Sequence, residues 1–275
     1  MKIPQELKRE ELPLADALHR IGLSSSVSRS DVDMLIARLP DVLKSAPAFL
    51  CVLDDQWRYE FGAPYTVQTS QVLGTDQCPE VRILLHGLLK VLRHALGDDF
   101  DKYLSRLSDQ SKHFDHLAEL APVLRAKELN RLRYEPRPGG ENSPGPDWAM
   151  GFMDGASGLV EVKSRIKELL DLFSSLRSGT DPSPHATRMP VLPGLLKDVS
   201  RKFPIKAETT NSFQGVWVYS PIWFILEELQ QVFDRCDSSR VSFLVVERAW
   251  REHEALTVDD ESRCVLRKYF SLPGV

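Results

Sequence analysis

The chain has 275 residues, of which 42% are hydrophobic and 27% charged, and its formal net charge is -4. That length favours one large or two modest domains with a real core, and the near-neutral balance neither announces nucleic-acid binding nor forbids it, because local basic patches matter more than the sum. No stretch approaches a transmembrane span and the opening MKIPQELKREEL lacks an apolar secretory core, so neither a membrane partner nor export is expected.

Residues 1 to 46 carry helical recurrence: Leu7, Leu12, Leu14, Ala17, Leu18 and Ile21 form one stripe, and Val32, Leu35, Ile36, Leu39, Val42 and Leu43 a second. A serine-rich break, Ser24 to Ser30, separates them, with Ser30 placed to cap the second helix. Residues 47 to 75 mix a strand over Phe49 to Leu53 with the aromatic group Trp57, Tyr59, Phe61 and Tyr65. Such rings can stack bases, although a small satellite core is the plainer reading.

A stronger helix is expected from Pro79 to Leu96, apolar around much of its circumference and therefore buried between layers or at a subunit contact. Helical character continues from Asp99 to about Leu132, with Phe100, Tyr103, Leu104, Leu107, Phe114, Leu117, Leu120 and Leu124 as candidate core. Pro122 either kinks one helix or begins a new one in its first turn. His113 and His116 flank Asp115, but no further ligand spacing supports zinc, and solvent-facing residues are the expectation. Arg131 to Glu135 is the first expected sheet strand, followed by the turn-rich link PRPGGENSPGP.

The stretch SPGPDWAMGFMDGASGLVEVKSR reads as turn, strand, tight turn, strand. Trp148 to Phe152 and Leu159 to Lys163 are the strands, and the Asp154-Gly155 step suits a reversal with positive backbone angles. Helix is expected again over Ile166 to Leu176, an exposed insertion over Ser178 to Pro193, and a short helix over Leu195 to Phe203 bearing Lys197, Arg201 and Lys202, charges that could face a backbone phosphate or simply occupy the wet side of the helix. Gly215 to Tyr219 reads as a core strand, Ile222 to Phe233 as a helix and Val241 to Val246 as a buried strand; in the more polar tail from Arg248, Cys264-Val265-Leu266 and Tyr269-Phe270 are expected to complete a sheet edge or cover an apolar face. This alternation points to a layered α/β core, with residues 1-98 as a mainly helical region and 99-275 as the α/β domain. The four cysteines, Cys51, Cys78, Cys236 and Cys264, show no metal-ligand spacing and read as free thiols of a reducing compartment, so the cytoplasm is expected.

The hairpin also carries the chemistry. Because it folds back, Asp147 returns beside Glu161-Val162-Lys163, and Leu159, Glu161 and Lys163 share one face while Val160 and Val162 take the other. The bland reading is a surface charge cluster. The chemical one is a divalent-ion site: Asp147 and Glu161 offer hard oxygens suited to Mg2+ or Mn2+, with the Val162 carbonyl as a third donor. Lys163 would then hold or help deprotonate a water and stabilise charge on a phosphoryl group.

Pro146-Asp147 and Glu161-Val162-Lys163, joined by strand, turn and strand, resemble the PD-(D/E)xK nuclease superfamily. The resemblance spans Asp115 to Glu247, although the hairpin alone is specific. It implies a restriction-endonuclease-like core of helix, three-stranded meander, helix and strand, a mixed sheet flanked by helices, and metal-dependent hydrolysis of a nucleic-acid phosphodiester, with DNA the expected partner. It also implies an acid from the first helix, for which Glu119 is the first choice and Glu128 the second. Arg133 and Arg137 lie where they could touch phosphates, and the N-terminal helices could mediate a homodimer or hold a protein partner. Two alternatives stand beside this: a nuclease-fold binding or scaffolding protein without catalysis, and a helical interaction module whose motif is accidental.

Overall fold

The structure, a computed structural model, describes residues 30, 31, 34, 79–109, 112–138, 140, 143–164, 191–206, 211–220, 226–248 and 252–272. The expected elements of residues 1–29 and 35–78, the aromatic group among them, and the expected helix after Lys163 lie outside the described residues. The chain divides into two compact units, 1–124 and 125–275.

In the first unit, α1 (Pro79–His94), α2 (Asp98–Leu107), α3 (His113–Ala118) and α4 (Leu120–Arg125) follow one another. The helical character expected over Asp99 to Leu132 is thus broken into three short helices, and its last residues, Leu129 to Leu132, are already strand. Pro122 sits in the first turn of α4, where its missing N–H costs nothing, and Leu120, Ala121, Pro122 and Val123 are buried. Leu88, Leu89, Val91 and Leu92 of α1 are buried too, and the Lys90 ammonium donates to the carbonyls of Val123 and Leu124 at 3.2 and 2.8 Å, satisfying acceptors at the end of α4.

The second unit is built on a mixed sheet of β1 (Leu129–Tyr134), β2 (Trp148–Phe152), β3 (Ser157–Ser164), β4 (Ser212–Ser220), β5 (Phe243–Arg248) and β6 (Glu252–Thr257), in that spatial order. Strands β1 to β3 form an antiparallel meander, β3, β4 and β5 run parallel, and β6 returns antiparallel. Parallel neighbours need crossovers; α5 (Val191–Lys202) falls between β3 and β4, and α6 (Leu226–Phe233) between β4 and β5.

One face of the sheet presents Val216, Val218, Leu244 and Val246 to Leu195, Val199 and Phe203 at α5 and to Leu229, Val232 and Phe233 of α6. The other is aromatic: Phe152, Phe213, Trp217 and Phe243 contact Phe270, and Phe152 and Phe213 also contact Tyr269. Tyr269 ends α7 (Asp260–Tyr269), which starts on an Asp259 cap accepting the Ser262 N–H at 2.7 Å. Of the two outcomes open to Cys264-Val265-Leu266 and Tyr269-Phe270, the second is found: they lie in or just after α7, with Leu266, Tyr269 and Phe270 buried, while the sheet edge is closed by β6, a strand not expected there.

The β2–β3 reversal is tight. Gly155 takes φ 85, the Phe152 N–H reaches the Ala156 carbonyl at 2.9 Å, and the Asp154 carboxylate accepts the Ala156 N–H at 3.1 Å. The Asp154 side chain also holds Tyr269 Oη at 2.7 Å and Lys268 Nζ at 2.6 Å, tying the hairpin tip to α7.

Candidate active site

Asp147 is held from both sides. Its carbonyl accepts the Glu135 N–H at 2.7 Å, fixing it to the end of β1, and its carboxylate Oδ2 accepts the Val162 N–H at 2.6 Å, fixing it to β3. Gly145 makes the approach feasible: a Cβ there would lie 1.5 Å from the Pro136 carbonyl oxygen, so the two ends of the PRPGGENSPGP loop close only over a residue without a side chain.

The sheet register places the second acid. Trp148 pairs with Val160, the last pair of the β2–β3 ladder, and Asp147 precedes Trp148, with its carboxylate on the N–H of the residue after Glu161. Glu161 pairs in turn with Val216 and Lys163 with Val218, which puts both on the face covered by α5. Glu161 is only 1% exposed.

A carboxylate so buried requires countercharge, and it has two ammoniums on one oxygen. Lys163 Nζ lies 2.7 Å and Lys202 Nζ 2.5 Å from Glu161 Oε1. Lys163 is held as well by Asp198 Oδ2 at 2.6 Å, and Arg201 reaches Asp198 Oδ1 at 3.2 Å. Glu161 Oε2 is buried and accepts no hydrogen bond. Leaving a buried acceptor unmet costs about 1–3 kcal/mol, so this oxygen has room for a further donor or cation.

Burial works against charge on Lys163, but the neighbouring Glu161 and Asp198 carboxylates outweigh it and hold the ammonium above its ordinary range. Asp198 mirrors this: burial pushes its carboxyl up, but the bond from Lys163 and the charges of Lys163, Lys202 and Arg201 bring it below the usual value. Lys163 is therefore a fixed cation.

Asp147, Glu161, the Val162 backbone and Lys163 are thus gathered at the end of β3. Glu119 belongs to the first unit, where it is 8% exposed and its Oε1 lies 2.9 Å from His116 Nδ1. His116, expected in solvent, is buried, and its carbonyl accepts the Tyr103 hydroxyl. Glu128 is exposed, with φ 47, and its carbonyl accepts the Met153 N–H at the hairpin tip, the opposite end of β2 from Asp147; strand rise puts roughly 20 Å between the two ends. Arg133 is exposed and pairs with Ala149, and Arg137 is exposed in the loop after β1.

Nothing in the local sequence singles out Asp198, and for Lys202 it leaves a phosphate contact and a wet-side charge both open. The available signal was helical: Asp198 and Lys202 stand one turn apart and border the buried stripe of Leu195 and Val199, a position for charges that must find partners.

A second buried polar cluster lies on the opposite face of the sheet. Glu247 is fully buried and takes Arg125 at 2.8 Å on Oε1 and the Trp217 indole N–H at 2.9 Å on Oε2. His253 Nε2 stands 3.3 Å from Oε1 but out of line for a hydrogen bond.

Among the described residues, no three or more His, Cys, Asp or Glu side chains are grouped to hold a metal, and none of the helices is long and apolar enough to cross a membrane. Compared with family models, curated proteins and solved structures, the chain matches none of them.

Proposed function

We propose that the chain is a metal-dependent phosphodiesterase acting on nucleic acid, with DNA as the expected substrate, built on a restriction-endonuclease-like core. What carries this reading is the placing of two acids and a lysine around Val162: Asp147 anchored to the Val162 N–H, Glu161 the residue before it, and Lys163 on the same face as Glu161. The order of elements supports it as well, since a three-stranded meander, then a helix and a further strand, is the arrangement the resemblance implies.

The donors suit a hard divalent cation. Two carboxylates are the oxygen ligands that Mg2+ and Mn2+ prefer, and Glu161 Oε2 is an orphaned buried acceptor. A strand residue exchanges its N–H and C=O with the same neighbour, so the Val162 carbonyl faces the side its N–H faces, that of Asp147. Asp147, Glu161 and the Val162 carbonyl would hold Mg2+ or Mn2+, which would polarise the phosphoryl group and acidify a water. Glu161 and Asp198 favour the charged form of Lys163 over the pull of burial, which suits it to stabilising charge on the phosphoryl oxygens. Arg133 and Arg137, exposed near this end of the sheet, suit phosphate contacts.

The test is cleavage of DNA and RNA by the purified chain in Mg2+ or Mn2+, with Asp147→Ala and Lys163→Ala each abolishing it in folded protein. Equal cleavage by all three proteins rejects the assignment. One observation favours a second reading, nucleic-acid binding without turnover: Glu161 Oε1 is already saturated by two ammoniums. Binding with no metal-dependent cleavage across varied substrates selects it.

A further inference from the structure

We propose that Lys202 is a placeholder cation on Glu161, displaced when a divalent ion takes the carboxylate and then available to the phosphodiester; this rests on the reading of the site as a metal-dependent phosphodiesterase. The two ammoniums on Glu161 Oε1 are not held alike. Lys163 sits two residues along the same strand and is gripped at 2.6 Å by Asp198. Lys202 is the last residue of its helix, and its hydrogen bond goes to Glu161 at 2.5 Å. Asp198 attracts the charge of Lys202 as well, but Lys202 makes one hydrogen bond where Lys163 is held by two carboxylates, so of the two it has the fewer bonds to break.

Electrostatics gives it reason to. Two ammoniums sharing one oxygen already repel each other, and Glu161 is too buried for water to screen a third cation. A divalent ion engaging the same carboxylate supplies the countercharge that Lys202 supplied and pushes it off. Beside Lys202, the Arg201 side chain is 51% exposed, so the released ammonium joins a second cation at the helix end, where a phosphodiester anion draws both. Metal and nucleic acid are then coupled through one side chain: an anion that draws Lys202 away opens Glu161 to the metal, and by linkage the metal frees Lys202 for the anion.

Mn2+ binding to the full chain, followed by electron paramagnetic resonance, tests this without reference to cleavage. Lys202→Gln removes the competing charge and should bind Mn2+ about tenfold more tightly than wild type, as expected for losing one nearby like charge in a partly screened site. Lys202→Ala gives a second charge-free variant should Lys202→Gln fold poorly, Lys202→Arg should restore wild-type affinity, and Asp147→Asn should weaken binding. Unchanged or weaker Mn2+ binding by both charge-free variants, with Asp147→Asn still weakened, overturns the placeholder role and leaves the metal site standing. No binding by any of these proteins, or wild-type binding by Asp147→Asn, overturns both.

Discussion

The carboxylate of Asp147 accepts the backbone N–H of Val162 at 2.6 Å, across the end of the β2–β3 ladder. One side chain therefore closes the sheet where β2 runs out and brings a negative charge beside Glu161. The two roles separate by substitution. Asp147→Asn keeps an oxygen for the Val162 N–H and should change stability by less than about 1 kcal/mol, whereas Asp147→Ala strands that donor and should cost about 1–3 kcal/mol. Both should lose metal-dependent cleavage. Urea midpoints alongside cleavage assays check this, and wild-type cleavage by Asp147→Asn would sink the catalytic role.

Gly145 is the steric counterpart of that bond. A Cβ at this position would fall 1.5 Å from the Pro136 carbonyl oxygen, a backbone atom that cannot rotate aside. Gly145→Ala should force the loop ends apart, lose at least about 1–3 kcal/mol as an overpacked site does, and move Asp147 from Val162. Thermal unfolding and cleavage should fall together in this variant; normal stability would show that the loop ends tolerate separation.

The sheet was largely legible in the sequence because its central strands are apolar runs bounded by turn residues. Trp148 to Phe152 is β2 as read, and the Asp154-Gly155 step is a reversal at positive φ. Where reading fell short, tertiary contacts decide. Glu252–Thr257 has no apolar alternation, and it is a strand because its backbone pairs with β5 from Arg248↔Glu252 to Phe243↔Thr257. The site was half legible for a similar reason. Asp147, Glu161 and Lys163 lie within one hairpin, where spacing fixes their faces, whereas Asp198 and Lys202 reach Glu161 and Lys163 from a helix 35 or more residues further on, and no local pattern names that partnership.

The acid limb of stability should come in part from the hairpin tip. Bonds from Lys268, then Tyr269 and the Ala156 N–H, lower the Asp154 carboxyl from 3.8 to about 2. A carboxyl depressed on folding stabilises the fold fully above its unfolded value and loses that contribution as protons fill it in the folded state. Asp198 is shifted in the same direction. Stability should therefore decline as pH falls from 3.8 towards about 2, and Asp154→Asn should flatten part of that slope while lowering stability at neutral pH. Melting temperatures across this range decide it; parallel curves for wild type and variant would show that Asp154 does not contribute.

Glu247 offers a test of the opposite face of the sheet. Its fully buried carboxylate is shared by Arg125 and the Trp217 indole, so it joins the start of the second unit to β4 and β5. Removing one member of a fully buried pair costs about 3–5 kcal/mol, while replacing both with apolar groups of similar volume is often neutral or favourable; the Arg125 side chain is 24% exposed, so water takes up part of its charge and the loss should fall below that range. Glu247→Gln, which preserves an acceptor for Trp217, should thus be destabilising, and the double variant Arg125→Met with Glu247→Leu should recover much of the loss. Because Glu161 and Lys163 point to the other face, the folded double variant should bind Mn2+ as wild type does. Recovery of stability without recovery of Mn2+ binding would place Glu247 in the chemistry of the site and not in the support of the sheet.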